Sequence, residues 1–165
     1  MMLLTIIVPI HNMNSNYENL LIWVSTIKNT EIEIILIDDF TNNNESNLID
    51  ELFSKYEQVR IVKGSFGSPG MARNMGLEKA NGKWIVFWDS DDVGIISDEF
   101  INCLSKSNVD AIIFKAGIFD KNGEKKKVLQ ADSDVIDFAM FPGIWRVVFA
   151  KKKISNIRFS SNKLG

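Results

Sequence analysis

Up to Val93 the chain is built from four short apolar runs, each closed by polar residues and each separated from the next by a segment of helical period. The runs are Leu3–Pro9, Ile32–Ile37, Val59–Lys63 and Trp84–Trp88. They are too short for helices and rich in β-branched residues, which predicts buried strands. Between them, Tyr17, Leu20, Leu21, Val24 and Ile27 fall on one helical face, and Leu48, Ile49, Leu52, Phe53 and Tyr56 on another. Ser15 with Glu18 three residues on reads as a capping box for the first helix. Ser68 followed by Pro69 opens a third helix, which is expected to run to Asn81 and to stop at Gly82. Continuous apolar strands alternating with amphipathic helices predict an α/β fold: three layers, with a mainly parallel central sheet covered on both faces.

A length of 165 residues suits a single domain. A net charge of −2 and an isoelectric point near 5.5 give no footing for nucleic acid as a partner. One cysteine, Cys103, rules out an internal disulfide and suits a reducing compartment. Flanked by Ile101 and Leu104, it reads as a packed core thiol. The opening MMLLTIIVPI lacks the basic flank and cleavage site of a secretory leader and reads as the first strand. No apolar run reaches the roughly 18 residues of a membrane span. The expected location is the cytoplasm, with contact to the inner face of the membrane as an option.

Beyond Asp92 the alternation weakens. Ser97–Ser105 reads as a short helix, and Ala111–Phe119 and Lys125–Gln130 as two strands joined at an Asn122-Gly123 hairpin turn. FPGIWRVVFAKKKI is less regular. Trp84, Phe87, Trp88 and Trp145 read first as core; stacking of Trp145 on an acceptor sugar is the alternative. Lys125–Lys127 and Lys151–Lys153 read as solvated faces, with anionic lipid headgroups as the alternative partner.

Parallel sheets bind ligands beyond the carboxyl ends of their strands. Three polar sets stand at such ends: His11–Asn12, Asp38–Asp39 and Asp89–Asp92. The carboxylates of WIVFWDSDD, residues 84–92, repel one another, and a hard divalent cation held by an Asp-x-Asp pair relieves that repulsion. A solvated loop or a helix cap explains a bare pair equally well. The string Asp89-Ser90-Asp91-Asp92-Val93 also satisfies the haloacid dehalogenase phosphotransferase signature. There, however, the motif closes the first strand, and here it closes the fourth. Gly64, Gly67 and Gly70 do not form a dinucleotide-binding G-x-G-x-x-G.

Taken together, TIIVPIHN, LIDDFT and GSPGMARNMGLEKANGKWIVFWDSDD resemble glycosyltransferase family 2, strongly over residues 3–93 and loosely over 94–165. The resemblance implies a GT-A fold and a nucleotide-diphosphate-sugar donor, UDP-sugar favoured, with Mn²⁺ or Mg²⁺. It implies transfer with inversion to a saccharide or lipid-linked acceptor, in bacterial surface polysaccharide synthesis. By the same resemblance Pro9, His11 and Asn12 line the nucleotide pocket, although Tyr is commoner where His11 stands. Asp39 accepts a hydrogen bond from the uracil ring and Asp38 supports its loop. Arg73 reaches the base or the diphosphate, and Asp89 the ribose or donor sugar. Asp91 is the direct metal ligand, with Asp89 and Asp92 beside it. Residues 1–93 then form the donor-binding half and 94–165 a partial acceptor-side half. The family's catalytic base follows a stretch like WRVVFAKKKISNIRFSSNKLG and is expected beyond Gly165, so poor transfer by these residues alone is the expectation. The alternative from another class is a non-catalytic nucleotide-sugar-binding module.

Overall fold

The computed structural model describes residues 1–13, 17–39, 42–119, 125–129 and 143–161. Strands β1 (Leu4–Ile10), β2 (Ile32–Asp39), β3 (Val59–Gly64) and β4 (Trp84–Phe87) alternate with helices α1 (Glu18–Thr26), α2 (Asn43–Phe53) and α3 (Pro69–Lys79). Then come α4 (Asp98–Lys106), β5 (Ala111–Ile113), β6 (Ala116–Phe119), β7 (Lys125–Leu129), a 3-10 turn (Ile144–Arg146), β8 (Val147–Ala150) and the short α5 (Lys151–Ile154). Six strands form one sheet in the order β3-β2-β1-β4-β8-β5. The first four are parallel, and β8 runs antiparallel to both β4 and β5. The hairpin β6–β7 stands as a separate two-stranded sheet.

The period of two along each strand sorts the core into two layers. Ile6, Val8, Ile34, Leu36, Trp84 and Val86 pack beneath α1, α2 and α4, against Leu20, Trp23, Val24, Ile49, Phe53 and Leu104. Ile7, Ile35, Ile37, Ile85 and Phe87 pack on the other face, against Ala72, Leu77 and Ala80 of α3 and its flank and Ile154 of α5. Both faces of the central strands are therefore dry, as their unbroken apolar sequences require. Trp84 and Trp88 satisfy their indole N–H groups on the carbonyls of Leu104 and Trp145. All of Trp84, Phe87 and Trp88 are core, and Trp145 packs partly buried against it.

Several expectations are corrected. β2 runs on through Asp38 and Asp39. Helix α3 carries the expected cap, Ser68 accepting from the Met71 amide at 3.3 Å, but ends at Lys79. Gly82 is not its stop: its amide donates to Thr5 Oγ1 (2.8 Å), inside a buried network centred on Glu33. Helix α1 begins at Glu18, with Tyr17 at the cap position making no side-chain cap bond; Ser15 lies outside the described residues. The expected strand 111–119 is two strands, and the Asn122-Gly123 turn lies outside the described residues. Cys103 is exposed: on α4 the buried face falls on Ile101 and Leu104, and position 103 points away from it.

Candidate functional site

β1, β2 and β4 end side by side, and alternation decides which of their terminal residues meet. Asp39 continues the face of Ile35 and Ile37, towards α3, whereas Asp38 continues the face of Ile34 and Leu36. Asp38 is accordingly buried away from the cleft, where its Oδ2 accepts from Ser46 Oγ of α2 at 2.6 Å. Asp39 Oδ1 accepts from the amides of Phe66 (2.6 Å) and Gly67 (3.1 Å), which fixes the loop between β3 and α3. Its other oxygen carries no hydrogen bond among the described residues.

Asp89, just beyond β4, keeps the parity of Ile85 and Phe87 and so meets α3. Its Oδ1 receives Arg73 Nη2 at 2.5 Å. The Arg73 side chain is only 13% exposed, and its Nε is buried with no acceptor among the described residues. These groups face a cleft of about 640 Å³, lined by Pro9, His11, Asp39, Arg73 and Asp89 together with Ser65, Gly67, Ser68, Pro69 and Ser90. His11 is tied into the rim. Asn12 Nδ2 lies 3.0 Å from Nε2, and Nδ1 lies 2.5 Å from the Asp39 carbonyl. With the Asn12 amide donating to Nε2, Nδ1 carries the proton and donates to that carbonyl. Asn12 itself takes a left-handed backbone, φ 45°, which asparagine tolerates well.

The carboxylates after β4 are crowded. Asp92 Oδ2 accepts from the Asp89 amide at 3.1 Å, closing the turn. Burial pushes the Asp92 carboxyl up to about 6, and the charges of Asp89 and Asp91 add to that, against the lowering effect of the Asp89 amide and Arg73. Asp91 is exposed at the tip. Among the described residues no three His, Cys, Asp or Glu groups gather into a complete metal cage. Crowded hard oxygens with an exposed member do fit Mn²⁺ or Mg²⁺, which commonly take one or two carboxylates and complete their shell with phosphate oxygens and water.

Thus Pro9, His11, Asp39, Arg73 and Asp89 come together in one cleft and Asn12 braces its rim. Asp38 supports from behind, and Asp91 sits outside the lining. Sequence reasoning missed the hydroxyls of Ser65, Ser68 and Ser90. The first two lie in GSFGSPG, whose small residues were the available signal. It also missed Phe159, whose ring lies 5.6 Å from the Arg73 guanidinium; nothing local in the sequence links positions so far apart.

The model of the family described as "Glycosyl transferase family 2" matches residues 5–134. The chain belongs to glycosyl transferase family 2. Within this family it is 29% identical over 139 residues to the poly(ribitol-phosphate) beta-N-acetylglucosaminyltransferase TarP of Staphylococcus aureus, an alignment that covers 78% of this chain and 42% of TarP. The chain therefore spans less than half the length of that relative. Its fold is similar to that of S. aureus TarS, with a TM-score of 0.75 at 18% identity, over 98% of this chain and 51% of the TarS chain. TarS in complex with UDP-GlcNAc aligns with a TM-score of 0.61 at 17% identity, over 96% and 49% of the two chains. The mannosyltransferase PcManGT of Pyrobaculum calidifontis, in complex with GDP-Man and Mn²⁺, aligns with a TM-score of 0.66 at 14% identity, over 96% and 48%. The fold of this family 2 chain is GT-A, with a central, mostly parallel sheet. Family membership displaces the phosphotransferase reading of the Asp-Ser-Asp-Asp-Val string, which closes β4 in the middle of the sheet.

Proposed function

We propose that this chain carries the donor-binding half of a glycosyltransferase that takes a nucleotide-diphosphate sugar, a UDP-sugar by preference. The observation that carries the reading is the convergence of Asp39, Arg73 and Asp89 on one cleft at the carboxyl ends of β2, α3's first turns and β4. Asp39 has one oxygen committed to the loop amides, which leaves the other to accept an N–H from the nucleobase. Such a contact is charge-assisted and selects a base with a donor at that edge. Arg73 is held by Asp89 in a sheltered position, where a guanidinium neutralises a diphosphate better than it would in open water. Asp89 then faces the ribose or the sugar.

Asp91, with Asp89, would hold Mn²⁺ or Mg²⁺, which supplies charge neutralisation for the diphosphate as it leaves. The reaction proposed is transfer with inversion: an acceptor hydroxyl attacks the anomeric carbon from the side opposite the diphosphate while a carboxylate base removes its proton. The acceptor class is a saccharide or lipid-linked saccharide, and the setting is bacterial surface polysaccharide synthesis on the cytoplasmic side of the membrane. The name of TarP, a bacterial glycosyltransferase acting on poly(ribitol-phosphate), supports a bacterial polymer as the acceptor. Among the described residues no helix is long and apolar enough to cross a membrane. Residues 1–93 form the donor half in this reading, and residues 94–165 begin the acceptor side.

Calorimetric titration of UDP with and without Mn²⁺ tests the reading. The expected result is binding that strengthens with Mn²⁺ and loses that gain in Asp91→Ala. Binding that ignores both metal and Asp91 would remove the metal role, and no binding under either condition would remove the donor site.

A further inference from the structure

The segment Arg158–Ser160 is clamped across α3 beside the cleft. Asn74 holds its backbone from both sides: Nδ2 donates to the Phe159 carbonyl (3.0 Å), and Oδ1 accepts from the Phe159 amide (2.9 Å). Asn74 is buried, and the backbone it holds at Phe159 is half-buried. Gly70, one turn earlier on the helix, permits the approach. A Cβ there would stand 3.0 Å from the Ser160 carbonyl oxygen and 3.1 Å from Phe159 Cβ. The Phe159 ring meets Phe87 of β4 edge to face, with centroids 5.1 Å apart and planes at 83°. The same ring lies 5.6 Å from the Arg73 guanidinium carbon.

Arg73 is thus confined on two sides, by the carboxylate of Asp89 and by an aromatic ring brought from the far end of the sequence. An unconfined arginine samples many rotamers and points at a ligand only part of the time. A guanidinium over an aromatic face is both attracted and sheltered. The ring covers apolar area without offering an acceptor, which leaves the Arg73 N–H groups not used by Asp89 to a ligand.

Resting on the donor-site reading, the geometry points to Phe159 and Asn74 as positioning residues for the donor diphosphate. Asn74 fixes the backbone of Phe159, Phe159 fixes the guanidinium of Arg73, and Arg73 meets the diphosphate. Neither Phe159 nor Asn74 touches the nucleotide. The carboxyl-terminal part of the described chain therefore sets affinity in a cleft built by its amino-terminal part.

The test compares UDP with uridine, since only UDP carries the diphosphate. It also follows the Arg73 Nε–H signal by NMR in the unliganded protein, a readout that needs no nucleotide. Phe159→Leu keeps the apolar bulk and removes the ring. Its expected result is a melting temperature close to that of the wild type, UDP affinity lower by roughly tenfold, uridine affinity unchanged, and an Arg73 Nε–H signal displaced towards that of free arginine. Phe159→Tyr is expected to restore both. Asn74→Asp, which keeps the acceptor for the Phe159 amide and loses the donor, is expected to act in the same direction and serves if Phe159→Leu fails to fold. An unchanged Arg73 signal and UDP affinity in these variants would overturn the positioning role alone. So would equal losses for UDP and uridine, which mark a general change of cleft shape. A wild-type protein that does not bind UDP would overturn the donor reading on which the role rests.

Discussion

Gly76 is where the sheet and the cleft are mechanically joined, and Gly76→Ala tests that joint. A Cβ at this position would stand 2.3 Å from Ile7 Cγ2, with Ile7 Cγ1 at 3.2 Å and Ile7 Cβ at 3.3 Å. Ordinary carbon–carbon contact is about 3.5–4.0 Å, so the overlap exceeds about 1 Å. Ile7 has no room to give: it is fully buried on β1, with β2 hydrogen-bonded on one side and β4 on the other. The helix must therefore move off the sheet. Overpacking of this kind costs about 1–3 kcal/mol, and an overlap this deep belongs at the upper end. Replacing glycine by alanine inside a helix returns about 1 kcal/mol of backbone entropy. The net expectation is destabilisation by about 1–2 kcal/mol, read as a lower urea midpoint with unchanged slope. Arg73 lies three residues earlier on the same helix, so outward movement of α3 lengthens its contact with Asp89. UDP affinity should fall along with stability. A Gly76→Ala protein as stable as the wild type or more so, with unchanged UDP affinity, would show that helix propensity outweighs packing here and would refute the reasoning.

Other expectations follow from the same geometry. Asp39→Asn keeps an oxygen for the Phe66 and Gly67 amides but loses the second acceptor, so UDP affinity should drop about ten- to a hundredfold with little change in melting temperature. Glu33 accepts from Thr5 Oγ1 and from the backbone and side-chain amides of Asn81 at the opposite end of the strands. Glu33→Ala should therefore cost about 3 kcal/mol in urea unfolding and leave UDP affinity alone. Tyr17 is buried, and its phenol is pushed up to about 12 by burial first and then by Glu45 and Asp38. The folded chain thus holds that proton over a window, pH 10 to 12, in which the unfolded chain releases it. Stability should fall there as pH rises, by about 1.4 kcal/mol per pH unit from this group, and Tyr17→Phe should lack that component when the two proteins are compared by urea unfolding.

The parallel half of the fold was legible because its strands are buried on both faces and its helices on one, so each element carries its own periodicity. Four strands and three helices follow from that pattern alone. The antiparallel half was harder. β8 has four residues, between a 3-10 turn and a lysine triplet, and its place between β4 and β5 depends on pairing that no local signal encodes. The misreading of Cys103 arose from taking apolar neighbours at 101 and 104 as a buried environment, when on a helix they define a face that position 103 does not share. At the site, the three polar clusters read from the sequence all fall at the carboxyl edge of the sheet, and members of each line one cleft. The parity rule within each strand could also have separated Asp39 from Asp38, since Asp39 shares the face of Ile35 and Ile37. Phe159 was out of reach because its contact with Arg73 is a product of tertiary folding.

The central claim is that the cleft beyond β1, β2 and β4 is where a nucleotide diphosphate binds. Backbone amide shifts followed by NMR during UDP titration in the presence of diamagnetic Mg²⁺ address it directly. A second hollow of about 340 Å³ lies at the opposite end of β4, lined by residues that include Lys83, Ser107 and Lys152, and gives an internal comparison. The account predicts perturbations at Ile10, His11, Asp39, Ser65, Gly67, Arg73 and Asp89, with Lys83, Ser107 and Lys152 unmoved. Shifts centred on the second hollow, with the residues of the first unmoved, would contradict it.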